Sequence, residues 1–156
     1  MARLDDAVRE FLGRKRIAVA GVSRGGKLPA NAIYRKLRGA GYEVFAVNPA
    51  TIEVEGGRCY PSLRSIPGGV EAVVIATPPE AADALVREAA ELGIRHLWMH
   101  RSFGQGSVSA SAAALGREKG LSVIDGACPM MYVNPDVGHR CIRWILKVTG
   151  GLPDAP

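Results

Sequence analysis

A glycine-rich loop follows the first apolar segment of the chain and carries groups that bind phosphate. In GVSRGGKLP, residues 21–29, Ser23 offers a hydroxyl, and Arg24 and Lys27 offer positive charge. Pro29 suits the first turn of a helix, whose N-terminus carries a partial positive charge, and the first three backbone N–H groups of the loop can donate to phosphate oxygens. Because these features coincide, the stretch predicts a pyrophosphate-binding loop. The alternative is that the glycine pair only makes a turn and Lys27 is solvated.

The spacing of the glycines departs from two common nucleotide-binding patterns. Ser23 stands where G-x-G-x-x-G needs its second glycine, and Leu28 stands where G-x-x-x-x-G-K-S/T needs a magnesium-binding hydroxyl. The second predicted strand ends in Val47-Asn48-Pro49, without the acidic residue that accepts hydrogen bonds from the ribose of NAD. The usual NAD and nucleoside-triphosphate sites are therefore disfavoured. The alternative for Asn48-Pro49 is a plain strand terminator.

Two later strand ends also carry side chains that a buried core does not need. Ala76-Thr77-Pro78-Pro79 places a hydroxyl and flat apolar rings before a helix, which suits an adenine or an alkyl chain. Its alternative is that Thr77 only caps that helix. His100 and Arg101 follow the fourth main strand and could reach a ligand phosphate or acyl group, or His100 could simply end the strand. In open α/β sheets ligands bind at the carboxyl ends of the strands, so these side chains predict one shared site.

The elements that position these residues alternate between strand and helix. Apolar runs predict strands over 16–22, 42–49, 71–79, 95–100 and 121–125, with at most a brief strand near 51–54. Helical periodicity predicts helices over 4–12, from 29 to about 40, over 80–92 and over 107–120. The stripe of the third of these is expected to be Ala81, Leu85, Ala89 and Leu92. This alternation predicts a three-layer Rossmann-like α/β domain with a mainly parallel sheet of about five strands.

A final amphipathic helix is predicted over 134–150. Asn134 is expected to cap it and Pro135 to occupy its first position. The apolar stripe of this helix consists of Val137, Cys141, Trp144, Ile145 and Val148. Two interpretations of the stripe stay open: the helix packs on the sheet, or it forms a dimer surface. The basic residues Arg140, Arg143 and Lys147 are expected to be solvated.

Composition limits the classes of function. The 156 residues, 47% of them hydrophobic, predict a single domain over 1–156. No apolar run approaches the ~20 residues that span a bilayer, and the N-terminus lacks a secretory pattern. Three widely spaced cysteines predict reduced thiols in the cytoplasm and no zinc site. The net charge of +5 favours anionic ligands, but the basic residues are scattered without interleaved aromatics, which disfavours nucleic acid.

Taken together, the stretches VAGVSRGGKLPANAIYRKLRGAGYEVFAVNP, EVEGGRCYPSLRSIPGGVEAVVIATPPE and DGACPMM resemble the small stand-alone CoA-binding proteins. That family is related to the CoA-binding domain of the succinyl-CoA synthetase alpha subunit. The resemblance covers residues 13–133 and rests on G-x-S after the first strand, V-N-P after the second, the G-x-x-x-Y-P-S-L run and the proline-bearing turn. HRSFGQG and the chain from Asn134 onward lie outside it.

The resemblance implies a coenzyme A site across the point where the strand order reverses. Its phosphates would lie on the first loop, its adenosine beside the end of the second strand, and the turn after the third main strand would form the opposite wall. The implied binding residues are Gly21, Val22, Ser23, Arg24 and Lys27, then Val47, Asn48, Pro49 and Tyr60, then Ala76, Thr77 and Pro78.

The residues favour a binding or regulatory module over an enzyme. Candidate reactive groups are His96, His100, His139, Cys59 and Cys128, with no carboxylate pair among the strand ends. Cys128 could form a mixed disulfide with the CoA thiol, or it could only fill space in the core. The alternatives to a binder of CoA or acyl-CoA are a small NAD(P)-dependent oxidoreductase and a CoA-dependent transferase. A homodimer or a partner protein is compatible with each.

Overall fold

The computed structural model describes residues 3–154, which contain seven strands and five α-helices. The strands are β1 (Arg16–Ala20), β2 (Glu43–Val47), β3 (Glu53–Val54), β4 (Gly57–Tyr60), β5 (Ala72–Ile75), β6 (His96–Met99) and β7 (Ser122–Asp125). The helices are α1 (Leu4–Leu12), α2 (Pro29–Gly39), α3 (Ala82–Glu91), α4 (Ala110–Glu118) and α5 (Val137–Thr149). Short 3₁₀ turns at Pro79–Ala81 and Pro129–Met131 follow β5 and β7.

The seven strands form one sheet in the order β3-β4-β2-β1-β5-β6-β7. Every neighbouring pair is parallel except β3 and β4, which are antiparallel. The chain leaves β1 toward β2 on one side and returns to β5 on the other, so the strand order reverses at β1. This confirms the predicted Rossmann-like α/β fold and puts the reversal beside the glycine-rich loop.

The predicted count of about five strands is too low because β4 was interpreted as a turn-rich segment. β4 pairs with β2 through only two positions, Ala46 with Cys59 and Val47 with Tyr60. It follows a tight turn in which Glu55 and Gly56 both have positive φ. So short a strand beside turn residues carries too little periodicity to be distinguished from a loop.

The sheet is buried on both faces. Ile17 and Val19 of β1 belong to the apolar cluster under α1, α2 and α5, whereas Ala18 and Ala20 belong to the cluster under α3 and α4. The near-continuous apolar strands follow from this double burial. Trp98 fills the first cluster, with its ring 5.3 Å from that of Phe11, and its Nε1 donates to the carbonyl of Gly126 at 2.8 Å.

Two helix predictions are wrong in detail. In α3 the buried residues are Ala82, Val86 and Ala89. The first two lie one position after the predicted Ala81 and Leu85, and the predicted Leu92 is exposed. Small side chains at Ala82 and Ala89 let α3 lie close on the sheet, and this leaves Leu85 facing the carboxyl ends of the strands.

The start of α5 is the second correction. Asp136, rather than Asn134, caps α5, because its Oδ1 accepts from the N–H of His139 at 2.9 Å. Asn134 precedes the helix at φ 42°, and Pro135 lies outside it. The predicted apolar stripe of α5 faces solvent, while Leu146 on the other side of the helix is buried. α5 therefore packs on the apolar cluster through Leu146 and Ile142, and not through the predicted stripe.

Candidate functional site

The loops after β1 and β5 touch at Gly21. This residue has φ 103°, and a Cβ built there would lie 2.5 Å from the carbonyl oxygen of Ala76. Its N–H donates to the carbonyl of Val47 at 3.0 Å, which also ties it to the end of β2. Only glycine combines this conformation with so close a backbone approach. Gly21 therefore brings three strand ends together.

The buried side chain of Asn31, in the first turn of α2, holds the loop at Ser23. Its Oδ1 accepts from the Ser23 N–H at 3.1 Å, and its Nδ2 donates to the Ser23 carbonyl at 2.7 Å. Nδ2 also donates to Glu55 Oε1 at 2.7 Å, and that oxygen accepts from Arg35 at 2.7 Å. The network joins the loop, α2 and the turn between β3 and β4.

The loop is fixed from the opposite side by Asn48. Its Nδ2 donates to the Val22 carbonyl at 2.9 Å, and its own N–H donates to the carbonyl of Tyr60 at 2.9 Å. The asparagine thus does more than end a strand: it ties the loop after β1 to the ends of β2 and β4. A rigid loop presents its remaining groups to a ligand without a further ordering cost.

These bonds change the predicted role of the backbone in phosphate binding. The N–H groups of Gly21 and Ser23 are already donated within the protein. The side chains of Arg24 and Lys27 are exposed, and α2 begins at Pro29 after a residue with no capping side chain and with no acid in its first turn. Positive charge at this loop therefore comes mainly from the two cations and the open helix N-terminus.

An apolar cavity of about 470 Å³ lies where the strand order reverses. We call it the switch-point cavity. Its walls come from the ends of β1, β2 and β5 and from the first turns of α3. They comprise Ala20, Gly21, Ser23, Leu28, Val47, Asn48, Pro49, Pro61, Ser62, Thr77, Pro78, Ala81, Ala84, Leu85 and Glu88.

A second cavity of about 840 Å³, here called the outer cavity, lies on the other side of the turn at Thr77 and Pro78. Its walls come from the end of the glycine-rich loop, the start of α2 and the loop after β6. They comprise Gly26, Lys27, Leu28, Pro29, Ala32, Arg35, Ala76, Thr77, Pro78, His100, Ser102, Phe103, Gly106, Ser107 and Met130. The two cavities therefore meet at Leu28, Thr77 and Pro78.

Thr77 stands between the cavities with an unused hydroxyl. Its Oγ1 is buried and has no hydrogen-bond partner within residues 3–154. It does not cap a helix, because Pro78 and Ala81 occupy the capping positions of the turn and of α3 without any side-chain bond. A buried hydroxyl without a partner costs about 1–3 kcal/mol, which a ligand polar atom at this point would recover.

His100 lies in the wall of the outer cavity as a neutral base. Burial, with a smaller contribution from nearby His139, lowers the pKa of His100. Its Nε2 is 3.5 Å from Ser102 Oγ, at the limit of a hydrogen bond. The imidazole is thus available at pH 7 as a hydrogen-bonding group without charge. The Arg101 side chain instead lies against Gly126, where an added Cβ would come within 3.0 Å of its Nη2.

The thiols differ sharply in accessibility. Cys128 is fully buried, and that burial raises the pKa of its thiol to about 11. Burial also raises the pKa of Cys59, whereas Cys141 is exposed on α5. Because the thiolate is the nucleophile, Cys128 has neither the ionisation nor the access for disulfide exchange with a ligand. Its space-filling interpretation fits the structure.

Most of the predicted binding residues come together at this edge of the sheet. The switch-point cavity collects Gly21, Ser23, Val47, Asn48, Pro49, Thr77 and Pro78, and the outer cavity collects Lys27, Ala76, Thr77 and Pro78. Val22 is buried and lines neither cavity. Arg24 lies in a separate cleft with residues 51–56, and Tyr60 packs its ring 6.0 Å from that of Phe45.

Sequence reasoning missed several residues that build the site. Asn31 lies inside the helix predicted from residue 29 to about 40, where helical periodicity alone gives a polar residue no role. A polar side chain in the first turn, directly behind the loop, was the signal that could have revealed it. Leu85 was assigned to the core because a helical period alone does not say which of two apolar faces meets the sheet.

Comparison with known proteins identifies the domain. A family described as "CoA binding domain" matches residues 15–134. The chain belongs to this CoA-binding family. The match confirms the resemblance seen in the loop and strand-end motifs, and α5 lies beyond the matched residues.

Several curated proteins are similar in sequence to this chain. The uncharacterized protein YneT of Bacillus subtilis (strain 168) is 31% identical over 122 residues, which span 78% of this chain and 87% of YneT. The ADP-forming acetate–CoA ligase II of Archaeoglobus fulgidus is 31% identical over 90 residues, which span 56% of this chain but only 13% of the ligase. The chain thus matches one small part of that larger protein.

Solved structures agree with the fold of the CoA-binding domain. A hypothetical protein from Pyrococcus horikoshii OT3 superposes with a TM-score of 0.74 at 30% identity, over 83% of this chain and 92% of the other. A Thermus thermophilus protein, described as cell-free ID.343, superposes with a TM-score of 0.69 at 26% identity, over 88% and 98%. Within residues 3–154, every helix is too short or too polar to cross a membrane.

Proposed function

We propose that this protein binds coenzyme A or an acyl-CoA across the carboxyl edge of its sheet and acts as a non-catalytic binding or regulatory module. The observation that carries the proposal is the pair of cavities that meet at Thr77, beside a cationic loop. CoA has the matching form, since an adenosine and a pantetheine arm are joined by a diphosphate. The family membership supports the same ligand.

In this proposal the adenine occupies the switch-point cavity, whose proline and leucine walls suit a flat ring. The diphosphate lies along Ser23 and the start of α2, with Thr77 Oγ1 as a further partner. The pantetheine arm and any acyl group lie in the outer cavity beside His100. Lys27 lines that cavity and would contact the diphosphate, so its charge faces the middle of the ligand.

Arg24 has a different place in the proposed complex. It lies in a cleft of about 440 Å³ with residues 51–56, on the side of the loop that faces β3 and the turn after it. The ribose of the adenosine would be on this side, and its 3′-phosphate needs a cation. We therefore assign the 3′-phosphate to Arg24 and the diphosphate to Lys27.

Three features support binding without catalysis. The Cys128 thiol is buried and un-ionised at pH 7. Asp125, the acid at the end of β7, is held by Arg117 at 3.1 Å and does not orient a histidine. The Ser102–His100 contact is long, and the described residues show no hydrogen bond to the other ring nitrogen of His100. Buried free thiols also suit the reducing cytoplasm, where we place the protein.

Calorimetric titration with CoA, dephospho-CoA, NAD and NADP tests the proposal. CoA should bind, and Lys27→Ala should weaken CoA and dephospho-CoA alike, by about 10-fold or more, because a charge-assisted bond contributes about 1.5–3 kcal/mol. Arg24→Ala should weaken CoA alone and so abolish the preference for CoA over dephospho-CoA. Arg95→Ala, an exposed cation at the opposite edge of the sheet, is the matched control and should change neither affinity.

Binding of NAD or NADP without CoA would overturn the proposal and favour the oxidoreductase alternative. Equal loss of CoA and dephospho-CoA in Arg24→Ala would refute the assignment of the 3′-phosphate alone. Turnover of an acyl-CoA, detected as free thiol release that His100→Gln abolishes, would contradict the non-catalytic role.

A further inference from the structure

The outer cavity is larger than the pantetheine arm that the proposed function places in it. Its volume is about 840 Å³. Ligand sites of roughly 300–1,000 Å³ hold a whole drug-sized molecule, whereas the pantetheine arm is a slim chain and the smaller part of CoA. Space therefore remains at the thiol end of the arm for a further group. In an acyl-CoA that group is the acyl chain.

Exposed apolar side chains gather around this cavity. Phe103 is 62% exposed and Leu28 is 50% exposed, and both belong to the cavity walls. Met130 and Ala32 lie in the same walls. Single exposed apolar side chains are ordinary on a protein surface, but several around one cavity form an apolar binding surface. A hydrocarbon chain that covers these side chains removes their apolar area from water, which favours binding.

The loop after β6 holds Phe103 at the cavity. At the base of this loop, the N–H of Ser107 donates to the carbonyl of His100 at 2.8 Å. The N–H of Arg101 donates to the carbonyl of Ala127, also at 2.8 Å, and this ties the base to the loop after β7. Phe103 therefore projects from a loop whose two ends are fixed. The loop is the HRSFGQG stretch, which the resemblance to the CoA-binding proteins did not cover.

The charges of the outer cavity disfavour an acyl group with an ionised end. Among the described residues, the cations in its walls are Lys27 and Arg35. Arg35 donates to Glu55 Oε1 at 2.7 Å, and Lys27 is assigned to the diphosphate. His100 is uncharged at pH 7 because burial lowers the pKa of its ring. It can hydrogen-bond a thioester but cannot balance a carboxylate, which would lose its hydration without gaining a counter-charge.

We infer that the outer cavity selects acyl-CoA molecules with a short, uncharged hydrocarbon acyl chain, and that Phe103 sets this specificity by contacting the chain. The inference rests on the proposed function, because it needs the pantetheine arm to enter the outer cavity. Each methylene group of the acyl chain should lower the dissociation constant about 2- to 4-fold, and the upper value corresponds to a methylene that is fully buried.

Calorimetric titration of the full chain with CoA, acetyl-CoA, butyryl-CoA and succinyl-CoA tests the inference. Butyryl and succinyl chains have equal length and differ in a terminal methyl or carboxylate. Butyryl-CoA should bind about 10-fold more tightly than CoA, and succinyl-CoA no more tightly than CoA. Phe103→Ala should remove most of the advantage of butyryl-CoA over CoA, and Phe103→Leu should retain it. Trp144→Ala, which alters a 66% exposed aromatic side chain outside both cavities, should leave that advantage unchanged.

The four ligands separate this inference from the function on which it rests. If butyryl-CoA binds no more tightly than CoA, the inference is overturned while CoA binding stands. Succinyl-CoA that binds as tightly as butyryl-CoA also overturns it, because the cavity then accepts a charged chain. An unchanged ratio of the two affinities in Phe103→Ala removes Phe103 from the acyl site and overturns the assignment of specificity. Failure of all four ligands to bind refutes the proposed function as well.

Discussion

Asn31→Ala tests the claim that one buried amide holds the ligand loop. Asn31 is fully buried, and its amide makes two bonds to the backbone of Ser23, one to the Ser23 hydroxyl and one to Glu55. Alanine removes all four and leaves a backbone donor, a backbone acceptor, a hydroxyl and a carboxylate short of one partner each. An unsatisfied buried group costs about 1–3 kcal/mol, but Ser23 and Glu55 are partly open to water, which reduces the cost. We expect a loss of about 2–4 kcal/mol in the free energy of unfolding.

Urea denaturation measures that loss, and CoA titration measures its effect on the loop. With Ser23 released, the loop must be ordered by the ligand, so CoA affinity should fall about 10-fold, equivalent to about 1.4 kcal/mol. Two variants serve as controls. Glu55→Gln keeps an oxygen for the Asn31 amide and gives up only the pair with the half-exposed Arg35, so it should cost less than about 1 kcal/mol.

Gly39→Ala is the second control and lies in the same helix. Space around Gly39 is open, and alanine favours the helix by up to ~1 kcal/mol. It should leave stability equal or slightly higher. If Asn31→Ala costs under about 1 kcal/mol and leaves CoA affinity unchanged, the reasoning that this amide positions the loop is refuted.

Three further outcomes can be measured. Gly21→Ala should destabilise the protein by more than about 2 kcal/mol in urea, since it combines positive φ with a backbone clash; a loss equal to that of a surface substitution would contradict the close approach. Burial lowers the pKa of His100, so the native state favours the neutral ring. The contribution of His100 to the free energy of unfolding should be fully present above pH ~6.5 and should be lost as the pH falls through the lower native pKa. His100→Gln should therefore flatten the pH dependence of the free energy of unfolding, measured by urea denaturation at each pH. In the folded protein, one thiol, Cys141, should react quickly with a maleimide, while Cys128 should react only after denaturation; fast labelling of Cys128 would show that its pocket opens.

The main architecture was predictable because it depends on strong periodic signals. Buried parallel strands leave near-continuous apolar runs in the sequence, and their carboxyl ends must share one edge of the sheet. The sequence alone therefore predicts that Gly21, Asn48 and Thr77 lie near each other. The parts that could not be predicted depend on tertiary contacts. The hydrogen bonds of Asn31 join residues that are 8 and 24 positions apart, and no local pattern announces them.

The faces of the helices were the least predictable feature. Both α3 and α5 carry more apolar surface than the sheet beside them covers. The helical period of 3.6 residues shows which side chains share a face, but it does not show which element, if any, packs against that face. In α3 the surplus face, at Leu85, lines a cavity. In α5 it faces solvent, at Trp144.

The wall shared by the two cavities has a consequence for how fragments of the ligand should bind. Leu28, Thr77 and Pro78 contribute to both cavities, so an adenosine fragment and a pantetheine fragment would lie on opposite sides of one thin partition. Each fragment alone must give up its own translational freedom, whereas the intact molecule gives it up once and delivers its second half at a high effective concentration. The site would therefore bind both ends of one molecule at the same time, and each end would strengthen the binding of the other. A compound that spans the partition gains far more affinity than one that fills either side more tightly.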